Sequence, residues 1–229
     1  MGRSVLVTGG TGGLGVAVTE AFLDVGWRVV VPWIVQDELS RMPKRGGLEM
    51  VRADLFDTAA ARDVATVATA DADAPLRAVV NLIGGFQAGG RVHETPVEEF
   101  ENQLRLNLRA TYLTCHQTIP HLLAAGGGAI VCMSSRAALH PFPGGAGYVT
   151  SKAAVLAFVA ALDTEYADQG IRTNAVLPGV IDTPGNRAAM PDSDRKDWVA
   201  PADIAKTIVF LAGEDSSTIS GAQVPVHRA

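Results

Sequence analysis

Eight residues, Thr8-Gly9-Gly10-Thr11-Gly12-Gly13-Leu14-Gly15, decide most of what this chain can fold into. They stand between a β-branched run, Ser4–Thr8, and an amphipathic segment, Leu14–Val25, in the order strand, turn, helix. Glycine supplies the positive φ that a tight turn needs and removes the Cβ where backbone must approach a ligand. A helix that starts near Gly13 aims unpaired N–H groups and its positive dipole end out of the turn, which suits a pyrophosphate. The key glycines fall at 9, 13 and 15, unlike G-x-G-x-x-G, and no Gly-Lys-Ser/Thr follows, so the turn is not a P-loop.

The rest of the chain repeats the same alternation. Apolar runs at Ser4–Thr8, Trp27–Val31, Leu48–Ala53, Ala78–Ile83, Ala129–Met133, Ile171–Leu177 and Ala222–Val226 read as strands. They are apolar on both faces, as strands of a covered parallel sheet are. Helical patterning fills Leu14–Val25, Thr58–Ala70, Glu98–Ala124, Ala153–Asp168 and Pro201–Leu211. The Ala-rich stretch Ala59–Ala74 has no broad apolar stripe and reads as a surface helix. Strand and helix in alternation specify an α/β fold, a doubly wound parallel sheet of about seven strands with helices on both faces. With 229 residues and 48% apolar side chains, one domain over 1–229 accounts for the whole chain.

Charge and cysteine usage narrow the function. Nineteen Lys and Arg against 24 Asp and Glu give a mildly acidic chain, which argues against nucleic acid as a partner. The longest apolar stretch, Ala153 to Leu162, is short for a bilayer, and the first residues lack the apolar core of a signal peptide. Cys115 and Cys132 show neither disulfide nor metal spacing, and His116 and His121 diverge on a helix, so no metal is expected. The expectation is a cytoplasmic protein without a membrane partner.

Chemistry concentrates late in the chain. Tyr148 and Lys152 lie four apart at the start of a helix and project from one face. An ammonium beside a phenol favours the phenolate, which makes a usable general acid and base. Ser134-Ser135 ends the strand Ala129–Met133, at the carboxyl edge where such sheets bind ligands. Asn107, flanked by Leu106 and Leu108 within a helix, is expensive to bury unless it is hydrogen-bonded. At the end of the second strand, Trp33 takes the place of the acidic residue that grips an adenosine ribose, with no Arg or Lys next to it. A ribose diol can be held by neutral acceptors whereas a phosphate needs cations, so the cofactor leans weakly to NAD over NADP.

Together these motifs resemble the short-chain dehydrogenase/reductase family over residues 5 to 226. Thr8 to Gly15 is similar to its T-G-x-x-x-G-x-G turn, Asp54-Leu55 to its adenine-contacting pair, and Asn81-Leu82-Ile83-Gly84 to its N-N-A-G stretch, with Leu82 in place of the second Asn. Asn107, Ser135, Tyr148 and Lys152 match the catalytic tetrad, and Pro178, Gly179 and Thr183 the segment that holds the nicotinamide carboxamide. The resemblance implies a Rossmann-type fold and an NAD(P)-dependent oxidoreductase acting on a small molecule. Gly9, Thr11, Gly13, Leu14, Gly15, Trp33, Asp54, Leu55, Asn81, Gly84, Tyr148, Lys152, Pro178, Gly179 and Thr183 would bind the cofactor. Ser135 would hold the substrate oxygen, Tyr148 would exchange its proton, Lys152 would lower the Tyr148 pKa, and Asn107 would fix a water linking Lys152 to solvent. Residues 182–191, Trp198 and the glycines around Phe86 are similar to the dihydropteridine reductase branch, so a quinonoid pterin is an alternative to a carbonyl or secondary alcohol. A redox-inactive cofactor-sensing regulator is a third reading, disfavoured by the filled tetrad. Phe86, His140, Phe142 and Trp198 are substrate-lining candidates, residues 184–200 a small lid, and a homodimer or homotetramer through Glu98–Ala124 and Ala153–Asp168 the implied assembly.

Overall fold

In the computed structural model, which describes residues 2–227, seven parallel strands form one sheet in the order β3-β2-β1-β4-β5-β6-β7. They are β1 (Ser4–Thr8), β2 (Arg28–Trp33), β3 (Leu48–Arg52), β4 (Leu76–Asn81), β5 (Gly128–Met133), β6 (Ile171–Pro178) and β7 (Gln223–Val226). Helices α1 (Gly15–Asp24) and α7 (Pro201–Ala212) cover one face, where Val18, Phe22, Ile204 and Ile208 pack on Val5, Val7, Val29 and Val31. On the other face α2 (Thr58–Ala68), α4 (Ala110–Ala124) and α5 (Ala146–Tyr166) bury Val64, Leu122, Val155 and Leu162 against Leu6, Val30, Val79 and Ile130. The fold is therefore the expected Rossmann-type α/β sheet.

Several boundaries differ from the sequence reading, each for a physical reason. The second strand runs on through Pro32 to Trp33, because Pro32 needs no ladder donor where it pairs with Val51. The edge strand β3 is half exposed instead of apolar on both faces, since it has a neighbour on one side only. Helix α2 is no surface helix: Ala61, Val64, Ala65 and Ala68 form a narrow buried stripe whose small side chains let it sit close to the sheet. The single helix expected over Glu98–Ala124 is divided into α3 (Val97–Leu104), a π-helical turn at Arg105–Arg109 and α4. Helix α5 begins at Ala146, seven residues before the patterned stretch at Ala153, and carries Tyr148 and Lys152 in its first turns, as their spacing implied. With its 3-10 extension to Gln169 it is also long and apolar enough to cross a membrane by length and composition, although no unbroken apolar run suggested this. Its many alanines raise the mean hydropathy, while one side carries Ser151, Lys152, Val155 and Val159 into the protein interior.

The strand order reverses direction between β1 and β4, the point at which sheets of this kind open a crevice beyond their carboxyl edge. The backbone N–H of Leu82 donates to Thr8 O and to Thr8 Oγ1, each at 3.2 Å, so the ends of β1 and β4 are tied at that point. The glycine turn that leaves β1 is folded tightly on itself. Gly9 has φ +66°, and a Cβ on Gly15 would lie 2.1 Å from Gly9 O. Because the obstacle is backbone, it cannot rotate away. Gly15→Ala is expected to lower stability in urea denaturation by about 1–3 kcal/mol or more, and an unchanged midpoint would show that the turn is not packed this way.

Candidate active site

The crevice is lined by groups from four strand ends. After β1, Leu14 stands in the N-cap position of α1 without a side-chain cap. No acceptor within the described residues meets the N–H groups of Gly13, Leu14 or Gly15. A helix start with free donors, bordered by glycines, is a cradle for an anion. Thr11, almost fully buried, is also on this turn. The far wall comes from the end of β6: Pro178 and Gly179 lead to Thr183, which accepts a bond from the Asn186 N–H and N-caps α6 (Pro184–Ala189). A Cβ on Gly13 would stand 2.8 Å from Thr183 Cβ, so the two walls touch.

The reactive groups sit on β5 and α5. Ser135 follows β5, where its Oγ accepts the Ala137 N–H at 3.2 Å, and its hydroxyl stands near enough to Tyr148 to favour the phenolate. One turn along α5, Lys152 is buried, and its Nζ donates to Met133 O at 3.2 Å and lies 5.9 Å from the centroid of the Tyr148 ring. Two buried serines fix this register: Ser134 Oγ donates to Lys152 O at 2.8 Å, and Ser151 Oγ to Tyr148 O at 2.7 Å. Gly84, after β4, comes so close that a Cβ there would be 3.0 Å from Lys152 Nζ and 2.5 Å from Asn107 Oδ1.

Asn107 occupies the π-helical turn, a distortion often found at functional sites. Its Nδ2 donates to Gly85 O and Ser151 Oγ at 3.0 Å and to Gln103 O at 3.1 Å, and its Oδ1 accepts the Gly85 N–H at 3.1 Å. The side chain thus braces the 84–85 loop against α5, and its amide protons are already engaged by protein groups.

Burial decides the protonation of the site. Desolvation lowers the Lys152 pKa to about 8, and the nearby Cys132 opposes the shift. Tyr148 is raised by burial, with the Ser135 hydroxyl pulling in the opposite direction. Burial outweighs the depression of the Tyr148 pKa expected from Lys152. The amine is itself reluctant to carry charge, and its hydrogen bond runs to a carbonyl of β5.

The remaining expected residues divide by exposure. Asp54 is exposed at the end of β3, where its carboxylate accepts the Phe56 N–H, while Leu55 is buried in the core and Trp33 is half-buried at the end of β2. Asn81 is buried and places its amide against Cys115 Sγ (3.4 Å) and Cys132 Sγ (3.7 Å), so its side chain does not face the crevice. Phe86 packs on the Tyr148 phenol, and Phe142 on Phe86. Phe86 is 68% exposed and meets the Tyr148 ring edge-on at 4.9 Å, with Phe142 a further 6.3 Å from Phe86. His140 is exposed beyond Ser135. Trp198, expected to line the substrate site, is buried under the Arg195 guanidinium and offers no surface to a ligand here. Sequence reasoning missed Glu38, which reaches the glycine turn from a 3-10 turn at Gln36–Arg41. No local pattern marks that contact, which spans 27 positions.

A glycine cradle at the sheet's reversal point, beside a Ser–Tyr–Lys group at the same edge, defines a dinucleotide-dependent oxidoreductase. A family model described as "Enoyl-(Acyl carrier protein) reductase" matches residues 9–228, and the chain belongs to the short-chain dehydrogenase/reductase family of NAD(P)-dependent enzymes. It is 34% identical to 2-(R)-hydroxypropyl-CoM dehydrogenase of Xanthobacter autotrophicus, over 100% of this chain and 98% of that one. It is 31% identical to cyclohexanol dehydrogenase of an Acinetobacter species, over 99% and 94%. The solved structure of ElxO with NADP bound superposes with a TM-score of 0.90 at 26% identity, covering 99% of this chain and 97% of that one.

The Lys152 shift has a consequence for stability. Between about pH 8 and 10.5 the folded chain holds fewer protons at this amine than the unfolded chain. Stability from this group therefore climbs with pH through that window and is at its lowest below about 8. Lys152→Met is expected to flatten that climb in denaturation curves taken from pH 7 to 10.5. Parallel curves for variant and wild type across the window would show that the amine is not desolvated.

Proposed function

We propose that this protein transfers a hydride between NAD(P) and a secondary alcohol or carbonyl carbon of a small molecule. The observation that carries the reading is the Ser135–Tyr148 hydroxyl pair with the Lys152 amine beneath it, facing the glycine turn across one crevice. The dinucleotide supplies the redox chemistry, and the protein orients and polarises. Its pyrophosphate suits Gly9, Thr11, Gly13, Leu14 and Gly15, its adenosine Trp33 and Asp54, and its carboxamide Pro178, Gly179 and Thr183. Ser135 holds the substrate oxygen by hydrogen bonding, which aligns it with the Tyr148 hydroxyl. Tyr148 gives that oxygen a proton in reduction and takes it back in oxidation. Lys152, with a pKa of about 8, exchanges a proton near neutral pH and binds the nicotinamide ribose. Asn107 is a positioning residue that keeps Gly84 and Gly85 against Lys152.

Support for a secondary alcohol comes from the two relatives, whose names are those of alcohol dehydrogenases. The exposed aromatic edge of Phe86 and Phe142 beside the phenol suits an apolar substituent on the reacting carbon. The pterin alternative rests on loop composition alone, and the complete tetrad favours catalysis over sensing. The lid reading also has a physical basis. Residues 182–199 leave and return through one neck, where Ile181 bridges Val199 and the Asp182 N–H donates to Val199 O at 2.8 Å. An excursion pinned at its base can swing over the crevice.

Three further readings complete the proposal. NAD is favoured over NADP, because β2 ends in Trp33 and not in a cation, although Arg52 stands opposite it on β3. The chain forms homodimers or homotetramers, because Tyr112 is half exposed on α4 beside Phe158 of α5 and leaves an apolar surface there. Two buried free cysteines suit a reducing, cytoplasmic setting. Tyr148→Phe tests the central assignment: NAD(P)H should bind with near wild-type affinity in fluorescence titration, while turnover falls about 10²–10⁴-fold. Turnover within a few-fold of wild type would remove Tyr148 from the chemistry.

A further inference from the structure

We propose that the amino edge of the sheet holds a second binding site, which takes a small polyanion bearing phosphate or carboxylate groups between Arg3, Arg77 and Arg172. The inference goes beyond the hydride-transfer reading and does not rest on it. The site is a cavity of about 620 Å³ at the opposite end of the strands from the glycine turn. Arg3 precedes β1, and Thr8 at the far end of that strand enters the turn. Five residues of extended chain, roughly 16 Å, lie between the two places. The whole chain carries a net charge of −5, yet this cavity is lined, among the described residues, by three guanidiniums and one carboxylate, that of Glu214.

Two of the guanidiniums are held by groups without formal charge. Arg77 NH1 donates to Ala125 O at 2.6 Å and to Gly127 O at 3.1 Å, at the end of α4. Arg172 NH1 donates to Leu211 O and Ser216 Oγ, each at 2.9 Å, and its NH2 to Gly213 O at 2.8 Å, at the end of α7. The two helix ends bring about −0.5 charge each, which is less than the excess of two guanidiniums over Glu214. No acceptor among the described residues meets Nε or NH2 of Arg77, or Nε of Arg172. These donors are oriented in advance, and the planar fork of arginine matches phosphate and carboxylate oxygens. β5 starts between the two, and the floor of Gly126, Gly127, Gly128 and Gly170 puts no side chain into the space. A Cβ on Gly126 would meet nothing within 4 Å. Arg3 is the movable member: its guanidinium lies 4.8 Å from the Trp27 ring centroid, and NH1 is 3.4 Å from Glu214 Oε1. Those two side chains are 40% and 91% exposed. So exposed an ion pair contributes little, and a ligand with two or more charges displaces Glu214 from Arg3.

The three tryptophans make the test local, because Trp27 lines this cavity, Trp33 ends β2 at the other edge and Trp198 lies under Arg195. Protein labelled with 5-fluorotryptophan is titrated with pyrophosphate and, separately, with citrate, at constant ionic strength. The Trp27 ¹⁹F signal, assigned with Trp27→Phe, should move saturably. The tighter of the two anions identifies the source as a phosphate or a carboxylate. Pyrophosphate seated only in the glycine turn would move Trp33 instead, and that result overturns the site while leaving the cofactor reading intact. Arg3→Gln should weaken binding about tenfold, whereas Glu214→Gln, which removes the competing carboxylate, should tighten it about two- to fivefold. Arg77→Gln should weaken it about tenfold as well. If that variant folds poorly by circular dichroism, the opposite signs at Arg3 and Glu214 decide the matter. The site is also overturned by a Trp27 signal that neither anion moves below about 10 mM, or that sodium chloride at equal ionic strength moves as far. Equal midpoints in Arg3→Gln and Glu214→Gln would do the same.

Discussion

The buried amine of Lys152 is the constraint on which the site depends. An ammonium taken out of water is costly, and among the described residues this one donates to the carbonyl of Met133 at the end of β5. The neighbours are arranged to keep it there. Ser134 clasps the Lys152 carbonyl, Ser151 clasps that of Tyr148, and Asn107 ties Ser151 to the loop that carries Gly84. Gly84 has room for nothing larger than hydrogen between the amine and the amide. The result is a group that holds its proton loosely at neutral pH, next to a phenol that holds its own tightly. Such opposed shifts in adjacent groups are a mark of proton-transfer chemistry.

The sheet explains why these groups meet. Parallel strands all deliver their carboxyl ends to one edge, so Thr8, Asn81, Met133 and Pro178 end side by side although they are far apart in sequence. The glycine turn and the amine then face each other across the reversal between β1 and β4. A site built on strand ends inherits the rigidity of the two buried layers behind it. The loops around it, with Phe86 exposed and residues 191–197 on the surface, are free to differ with the substrate.

Much of this was legible in the amino-acid order, because local signals carry it. Glycine spacing marked the cradle, β-branched runs marked the strands, and the four-residue interval between Tyr148 and Lys152 marked a shared helix face. What stayed hidden depends on tertiary context. Gly145 and Gly147 disguise the start of α5, whose first turns are tied to the sheet edge by Ser134 Oγ on Lys152 O. The π-helical turn at Asn107 has no sequence signature, since it answers to a buried amide finding partners on three other segments. Trp198 reads as a pocket aromatic until Arg195 is seen to cover it. Glu38 escapes for the same reason: its partner Thr11 is brought near only by the crossover from β1 to β2.

Proton exchange at this site requires that the Lys152 amine be desolvated. The direct measurement is an NMR titration of ¹³Cε-lysine-labelled protein, with Lys152→Met used to assign the resonance. One lysine should titrate near pH 8, and its signal should vanish in the variant. If every lysine stays protonated to pH 10, the amine is solvated and the site does not work as described.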